Sequence, residues 1–290
     1  MKKSYLLLIV LAVITLILLL SEKNGNLKQE LRDFAVKDTS SISKIFLADK
    51  LGNEIILNRI SNGWLVNDKF PVRKDAIKTL LGTVKNIEVN YPVSNAMHNN
   101  VVKNLATKSV KIEIFTTNEN VPHKTYYIGS PAPNMIGSFM LLENSSKPFV
   151  MYIPGFNGFL APRYNIDGTK ISLDLWRDRS FIKINPNEIN YVEVINHNDN
   201  SKSYKVTKEN QGYTLHHNKS KKRVSKDFSE KYFNLFRKVN CEGFMNNYSK
   251  KDSIITSDPF HTIKIKTKEL DEIKFNTFHK SPKREVASRL

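Results

Sequence analysis

Four residues near the middle of the chain have side chains suited to binding a ligand: Arg163, Trp176, Arg177 and Arg179. Guanidinium groups can bind a carboxylate or phosphate through paired hydrogen bonds, and an aromatic ring beside them can stack on a sugar. In a second interpretation, Arg177, Asp178 and Arg179 form ion pairs that join two parts of the molecule. We favour the second interpretation, because an aromatic and arginine-rich segment is typical of a domain interface.

The sequence contains no common catalytic or metal-binding motif. A glycine-rich phosphate loop, a G-x-S-x-G turn and an H-E-x-x-H helix are all absent. The seven histidines are scattered, and the adjacent pair His216 and His217 would point to opposite faces of a strand. The single cysteine, Cys241, is expected to be a small buried residue. We therefore expect no enzymatic activity, no metal ion and no cofactor.

The chain carries a large positive charge. It has 45 Lys and Arg residues against 28 Asp and Glu residues, which gives a net charge of +17. Anionic surfaces are therefore its natural long-range partners. One basic run contains Lys219, Lys221, Lys222 and Arg223. We expect this run to be a solvated strand edge that discourages pairing, and its expected partner, if it has one, is anionic lipid headgroups.

Residues 1–21 have the layout of a signal anchor. Two lysines precede an apolar run from Leu6 to Leu20, and no small-residue cleavage site follows the run. We expect residues 4–20 to span the bacterial inner membrane with the N-terminus in the cytoplasm. Residues 22–41 would form a juxtamembrane linker, and the rest of the chain would lie in the periplasm. Export excludes nucleic acid as a partner.

The exported part contains two segments with the same order of structural signals, residues 42–154 and 189–290. Each begins with three strand patterns, changes to the three- and four-residue spacing of an amphipathic helix, and continues with two more strands. The helical stripes are Ile77, Leu80, Leu81, Val84 and Ile87 in the first segment, and Phe228, Tyr232, Phe233, Phe236 and Val239 in the second. The sequence thus predicts an α+β fold of two repeated units, each an antiparallel sheet with one covering helix.

The two predicted units differ at their ends. The first continues into a strand pair, residues 138–143 and 148–154, which the second lacks. The second sheet is therefore expected to be incomplete: either the chain is shortened relative to its relatives, or a partner supplies strands at an open edge. The connecting residues 155–188 are rich in aromatic side chains, so we expect a packed bridge between the units instead of a flexible linker.

Several short motifs resemble those of a bacterial family, the domain of unknown function 4340. They are Trp176-Arg177-Asp178-Arg179, Pro162-Arg163-Tyr164, Pro154-Gly155-Phe156 and residues 34–39, 73–77 and 98–103. The resemblance implies an envelope protein anchored in the inner membrane, similar in context to auxiliary components of ABC-type export or gliding machinery. It implies no catalytic or ligand-binding residue.

These features favour a non-enzymatic function. We expect a membrane-anchored scaffold or accessory subunit of an envelope or transport complex, with another envelope protein as its partner. The alternative is an anchored binder of an anionic envelope ligand, such as a lipid headgroup or a glycan, and a hydrolase is less favoured than either.

The predicted topology can be tested directly. A reporter that is active only outside the cytoplasm should be active when it is fused after Leu290, because the two N-terminal lysines favour a cytoplasmic N-terminus. N-terminal sequencing of the mature protein should find residues 1–20 still attached. A mature N-terminus near Ser21 would contradict the anchor.

Overall fold

The computed structural model describes residues 32–117, 120–210, 212–246, 248–269 and 272–279. The chain divides into two compact units, with the boundary between Asp178 and Arg179. The predicted anchor at residues 1–21 and the first part of the predicted linker lie outside the described residues. Within the described ranges, no helix combines the length and apolar character that a membrane span requires.

The first unit is built on a nine-stranded antiparallel sheet. Its strands are β1 (Ile42–Ala48), β2 (Glu54–Ile60), β3 (Gly63–Val66), β4 (Phe70–Pro71), β5 (Glu88–Pro92), β6 (Val110–Thr116), β7 (Lys124–Pro131), β8 (Ser138–Leu142) and β9 (Phe149–Tyr152). They are ordered β4-β3-β2-β1-β6-β7-β8-β9-β5. Apolar residues alternate along β1, β2 and β6, so that one face of the sheet is buried.

Helix α1 (Lys74–Asn86) covers the buried face of this sheet. Asp75 lies in its first turn, where the helix dipole stabilises a carboxylate. The helix ends before Ile87, whose backbone is extended. Its buried stripe includes Leu80 and Val84, which belong to the same core cluster as the inward residues of β1 and β2. Burying each such aliphatic side chain contributes about 1.5–3 kcal/mol to folding.

A second helix, α2 (Asn95–Lys108), was not predicted. Its Val101 and Leu105 form a separate cluster with Phe139 and Val150 from β8 and β9. The expectation of one helix in this unit was therefore wrong. The reason lies in the composition of α2, which is mostly polar and buries only those two residues. Gly129 on β7 allows the helix to approach, since a Cβ atom there would lie 2.6 Å from Leu105 Cδ2.

Most of the predicted bridge, residues 155–178, packs within the first unit. It contains a short 3-10 helix, Ala161–Tyr164, and helix α3 (Leu173–Trp176). Tyr164 is fully buried, and its hydroxyl lies 3.0 Å from that of Tyr126 on β7. Burial raises the pKa of both hydroxyls, so they remain neutral.

Asp49 holds part of this segment against the sheet. It follows β1, is only 7% exposed, and its carboxylate accepts hydrogen bonds from the backbone N–H groups of Leu51, Asn53 and Ile171 and from Asn53 Nδ2. Burial alone would raise the pKa of Asp49, but the hydrogen bonds from Asn53, Ile171 and Leu51 outweigh it and hold this pKa below its ordinary value. One carboxylate thus fixes both the β1–β2 turn and the segment that precedes α3.

The second unit contains a six-stranded antiparallel sheet ordered β14-β13-β12-β11-β16-β17 and a separate two-stranded pair, β10 with β15. The strands are β10 (Ser180–Ile182), β11 (Ile189–Asn196), β12 (Tyr204–Glu209), β13 (Gly212–His217), β14 (Ser220–Val224), β15 (Val239–Asn240), β16 (His261–Thr267) and β17 (Ile273–Thr277). Two short 3-10 helices, Pro186–Glu188 and Asn200–Lys202, connect some of them.

Helix α4 (Lys226–Asn234) packs on the six-stranded sheet, and a short helix, α5 (Lys251–Ile255), follows it. Ser225 is the N-cap of α4, since its Oγ accepts a hydrogen bond from the backbone N–H of Phe228. The predicted helical stripe was too long, because Val239 lies in β15. Cys241 is half-buried, which corrects the expectation that it would be buried.

The chain is therefore a mixed α+β protein in which antiparallel sheets predominate, as the sequence predicted.

The hydrogen bonds of Asp49 predict how the first unit responds to substitution and to pH. An Asp49→Asn variant should unfold at lower urea concentration, with a loss of about 1–3 kcal/mol, because the charged acceptor of these donors is removed. Asp167→Asn, which changes an exposed carboxylate, is the control.

Because the folded-state pKa of Asp49 is depressed, its stabilising effect is full above the unfolded pKa of about 3.9 and is lost as the pH falls through the folded value. The difference in stability between wild type and Asp49→Asn should therefore shrink below about pH 4. A difference that does not change with pH would contradict this role.

Candidate functional site

The four residues of the predicted ligand site are divided between the two compact units. Arg163, Trp176 and Arg177 belong to the first unit, and Arg179 is the first residue of the second.

Trp176 is a core residue. It ends α3, is fully buried, and belongs to the main cluster of the first unit. Its backbone carbonyl accepts a hydrogen bond of 2.9 Å from the N–H of Arg73, while its indole Nε1 is buried and has no hydrogen-bond partner among the described residues. A ring in this position cannot stack on a ligand from solvent. Its role is to hold the segment before the unit boundary against the sheet.

Arg163 is engaged within the first unit. Its Nε donates a 2.8 Å hydrogen bond to Thr83 Oγ1 on α1, and its guanidinium carbon lies 4.7 Å from the centre of the Phe156 ring. Thr83 is fully buried, so this contact connects the 3-10 helix to the inner side of α1. The guanidinium group therefore acts as a link between two elements.

Arg177 lies over an aromatic ring. The sequence suggested the neighbouring ring of Trp176, but the ring is that of Phe70. Its guanidinium carbon is 3.9 Å from the centre of the Phe70 ring, and its backbone forms an isolated bridge with Val72. The next residue, Asp178, donates its N–H to the carbonyl of Pro71 at 2.7 Å. This backbone pairing extends the contact between the end of the segment and β4.

Arg179 opens the second unit. Its carbonyl accepts a 2.9 Å hydrogen bond from the N–H of Cys241, beside the pairing of β10 with β15. Its Nε is buried without a hydrogen-bond partner among the described residues.

Arg73 contacts the same segment, although it was not among the residues predicted to bind a ligand. It immediately precedes α1, forms an ion pair with Asp75, and its Nη1 lies 3.4 Å from the carbonyl of Leu175. The hydrogen bond from Arg73 is the largest reason that the pKa of Asp75 lies below its ordinary value. The position of Arg73 directly before an amphipathic helix could have indicated its ion pair with Asp75. Its contact with Leu175, which is distant in the sequence, could not be predicted.

The four residues of the predicted lipid contact are exposed but do not share one face. Lys219 lies in the β13–β14 turn with a positive φ of 65°. Lys221, Lys222 and Arg223 lie on β14 and alternate between its two faces. The run was expected to be a solvated strand edge, and it forms β14, the exposed edge strand of the sheet, which pairs with β13 on its inner side.

An apolar groove of about 530 Å³ lies beside β17 in the second unit. Its wall contains Phe181, Ile182, Phe236, Val239, Ile263 and Phe275. Phe181 is 51% exposed, and its ring packs edge-on against Phe275 with the ring centres 5.6 Å apart. Strand β17 pairs with β16 on one side, and no strand within the described ranges pairs with its other side. The groove and an unpaired strand edge therefore lie together.

In the part of the chain that the structure describes, no group of three or more histidine, cysteine or carboxylate side chains is placed to hold a metal ion.

The fold and these surfaces define an α+β protein, built mainly on antiparallel sheets, with an apolar groove at one sheet edge. A family model described as Domain of unknown function (DUF4340) matches residues 64–257. The match covers more than half of the chain, so the chain belongs to this family. Comparisons with curated proteins and with solved structures found no match.

The burial of Trp176 predicts that its substitution lowers the free energy of unfolding more than substitution of Arg177 does. Trp176→Ala should cost about 3–5 kcal/mol in the unfolding of the first unit, because it leaves a large cavity in the core. Arg177→Ala should cost about 1 kcal/mol or less through the lost contact with Phe70. Urea unfolding followed by circular dichroism measures both, and a Trp176→Ala protein as stable as wild type would contradict the structural role.

Proposed function

We propose that this chain is a non-enzymatic protein, anchored in the bacterial inner membrane, whose exported part is a scaffold or accessory subunit of an envelope or transport complex. The apolar groove, together with the edge of β17 that no strand of the described ranges pairs with, is the observation that carries the proposal. The apolar N-terminal run supports anchorage in the membrane.

The groove and the strand edge together favour an extended partner segment. A strand that pairs with β17 gains backbone hydrogen bonds at the edge, and its alternate side chains reach the two faces of the sheet. Side chains on the groove side would lie beside Ile273 and Phe275, while those on the other side would lie beside Lys274. The best-matched partner is therefore an extended segment of another envelope protein that alternates apolar and acidic residues.

We further propose that the two units are copies of one α+β unit. The order of strands in the first sheet, β4-β3-β2-β1-β6-β7, corresponds step by step to β14-β13-β12-β11-β16-β17 in the second. Helix α1 follows β4 and helix α4 follows β14, and a short strand, β5 or β15, follows each helix. The register irregularity between Ile42 and Lys44 also has a counterpart between Ile189 and Tyr191. A bulge at the same place in both sheets supports a common origin, since bulges are specific features of a fold.

In this alignment the first sheet extends beyond β7 by β8, β9 and β5. The described residues of the second unit contain no strand that corresponds to β8 or β9, and β15, which follows its helix as β5 does, pairs with β10 instead. The proposed partner segment would occupy the position that corresponds to β8.

Site-specific photo-cross-linking in cells tests this function. A benzoylphenylalanine placed at Asn276, an exposed position of β17, should give an adduct with another protein after irradiation. The same group at Leu51, which is 62% exposed in a turn of the first unit, is the positional control and should give none.

A matched pair of substitutions tests the groove. Phe181→Ser should abolish the adduct, whereas Phe228→Ser should not, although Phe228 on α4 is 54% exposed and resembles Phe181 in exposure. An adduct that survives Phe181→Ser, or that joins Asn276 only to residues 280–290 of the same chain, would overturn the proposal.

A further inference from the structure

A row of basic side chains crosses the second sheet on the face opposite α4. The register places Lys221, His216, Lys205, Glu193, Lys264 and Lys274 directly beside one another on β14, β13, β12, β11, β16 and β17. Val192, Val206 and Ile265 alternate with members of this row and point into the core beneath α4. The row therefore lies on the face opposite α4, where Lys221 and Lys274 at the two sheet edges are exposed and the members between them are half-buried. It contains four lysines and one histidine but only one carboxylate.

The fold does not impose this charge. In the first sheet, the row in the corresponding register position consists of Ile56, Phe46, Glu113 and Thr125 on β2, β1, β6 and β7. That row contains one charged residue, which is negative. The lysines of the second sheet therefore reflect a property of this surface and not a requirement of the architecture.

The lysines are only partly neutralised by their neighbours. Lys264 Nζ lies 3.5 Å from Glu193 Oε2, and Lys221 Nζ lies 3.0 Å from Glu209 Oε1. Lys205 Nζ lies 3.6 Å from the centre of the Tyr191 ring, on the same face. Lys274 is exposed at the edge of the sheet. Tyr191 also donates a hydrogen bond to Glu272, so three carboxylates, Glu193, Glu209 and Glu272, lie beside the four lysines. A net positive charge remains on a face whose width is on the order of 24 Å for six strands.

We infer that this face binds the anionic headgroups of a lipid bilayer. Its charges are spread in a straight line across a broad sheet and do not converge on one point, as a site for a single small anion would require. Lysine ammonium groups on long stems suit many shallow contacts with headgroups, and each basic residue near an anionic membrane adds to the attraction. Tyr191 adds an aromatic ring of the kind found at membrane interfaces.

This inference extends the predicted contact of the basic run. Of the residues in that run, Lys221 belongs to the row, whereas Lys222 pairs with Leu215 and lies on the other face. The remaining lysines of the row come from distant positions in the sequence. The inference rests on the proposed function only in that an anchored chain would keep this face near a bilayer.

Fluorescence quenching in lipid nanodiscs tests the inference with the full chain. A fluorophore is attached at Thr207→Cys in a Cys241→Ser background, because Thr207 lies on the same face as Lys205. Headgroup nitroxide lipids should quench it in discs that contain phosphatidylglycerol and should not do so in discs of phosphatidylcholine alone. The quenching should decrease at raised salt.

Two triple variants separate this face from general positive charge. Replacing Lys205, Lys264 and Lys274 with glutamine should reduce the quenching to its level in neutral lipid. Replacing Lys222, Lys226 and Lys231, which lie on the other side of β14 and on α4, should leave it unchanged. Equal effects of the two variants, or equal quenching in the two lipid compositions, would overturn the inference.

The experiment also distinguishes the anchor from the face. A chain that enters the discs but shows no lipid-dependent quenching retains the proposed anchorage and refutes the lipid contact. If the chain does not enter the discs, the anchorage is refuted, and the same labelled protein is added to preformed vesicles. There the triple variant of the row should bind vesicles with phosphatidylglycerol on the order of tenfold or more weakly than wild type, and equal binding would refute the contact.

Discussion

The apolar face of each of the two large antiparallel sheets must be covered by other parts of the chain. Which residues are buried on that face determines which residues lie on the opposite face. In the first unit α1 covers the face that contains Ile45 and Leu57, and in the second α4 covers the face that contains Val192 and Val206. Because side chains alternate along a strand, fixing the buried set also fixes the set that points the other way. A shift of one residue would exchange the two faces, so the register is strongly determined by burial.

The two units use their second faces differently. In the first, α2 covers part of that face through Val101 and Leu105, and β8, β9 and β5 extend the sheet. The helix α5 in the second unit has only five residues and buries none of them. The second sheet consequently leaves both a charged face and an apolar groove accessible within its own unit. The groove is partly lined by core residues such as Ile182 and Phe275, whereas Phe181 beside them is exposed. An apolar surface that remains exposed in this way is the reason for proposing an external partner.

The sequence predicted the elements whose residues alternate or repeat strongly, and it missed those with weak patterns. In the first unit β1, β2, β3, β6, β7 and α1 were expected. In the second unit β11, β12, β13, β16, β17 and α4 were expected. Helix α2 was missed because its stripe is narrow, whereas the lysine and arginine run of β14 was expected to be a solvated strand edge and forms one. The predicted ligand residues were chosen by type alone. Their partners, such as Thr83 for Arg163 and Phe70 for Arg177, are distant in sequence and could not be identified without the fold.

The basic row also depends on contacts between residues that are distant in the sequence. Lys205, Lys264 and Lys274 are each unremarkable in the sequence, and only the pairing of β12, β11, β16 and β17 brings them to one level. Contacts of this kind are individually weak, since exposed charges are screened by salt. A membrane anchor would hold the face close to the bilayer and so raise the effective concentration of lipid headgroups near it. Weak contacts would then be formed for a larger fraction of the time. In the proposed arrangement, lipid contacts would orient the second unit and the edge of β17 would remain available to a protein partner. The two surfaces would then act together because Lys274 lies on the strand that forms that edge.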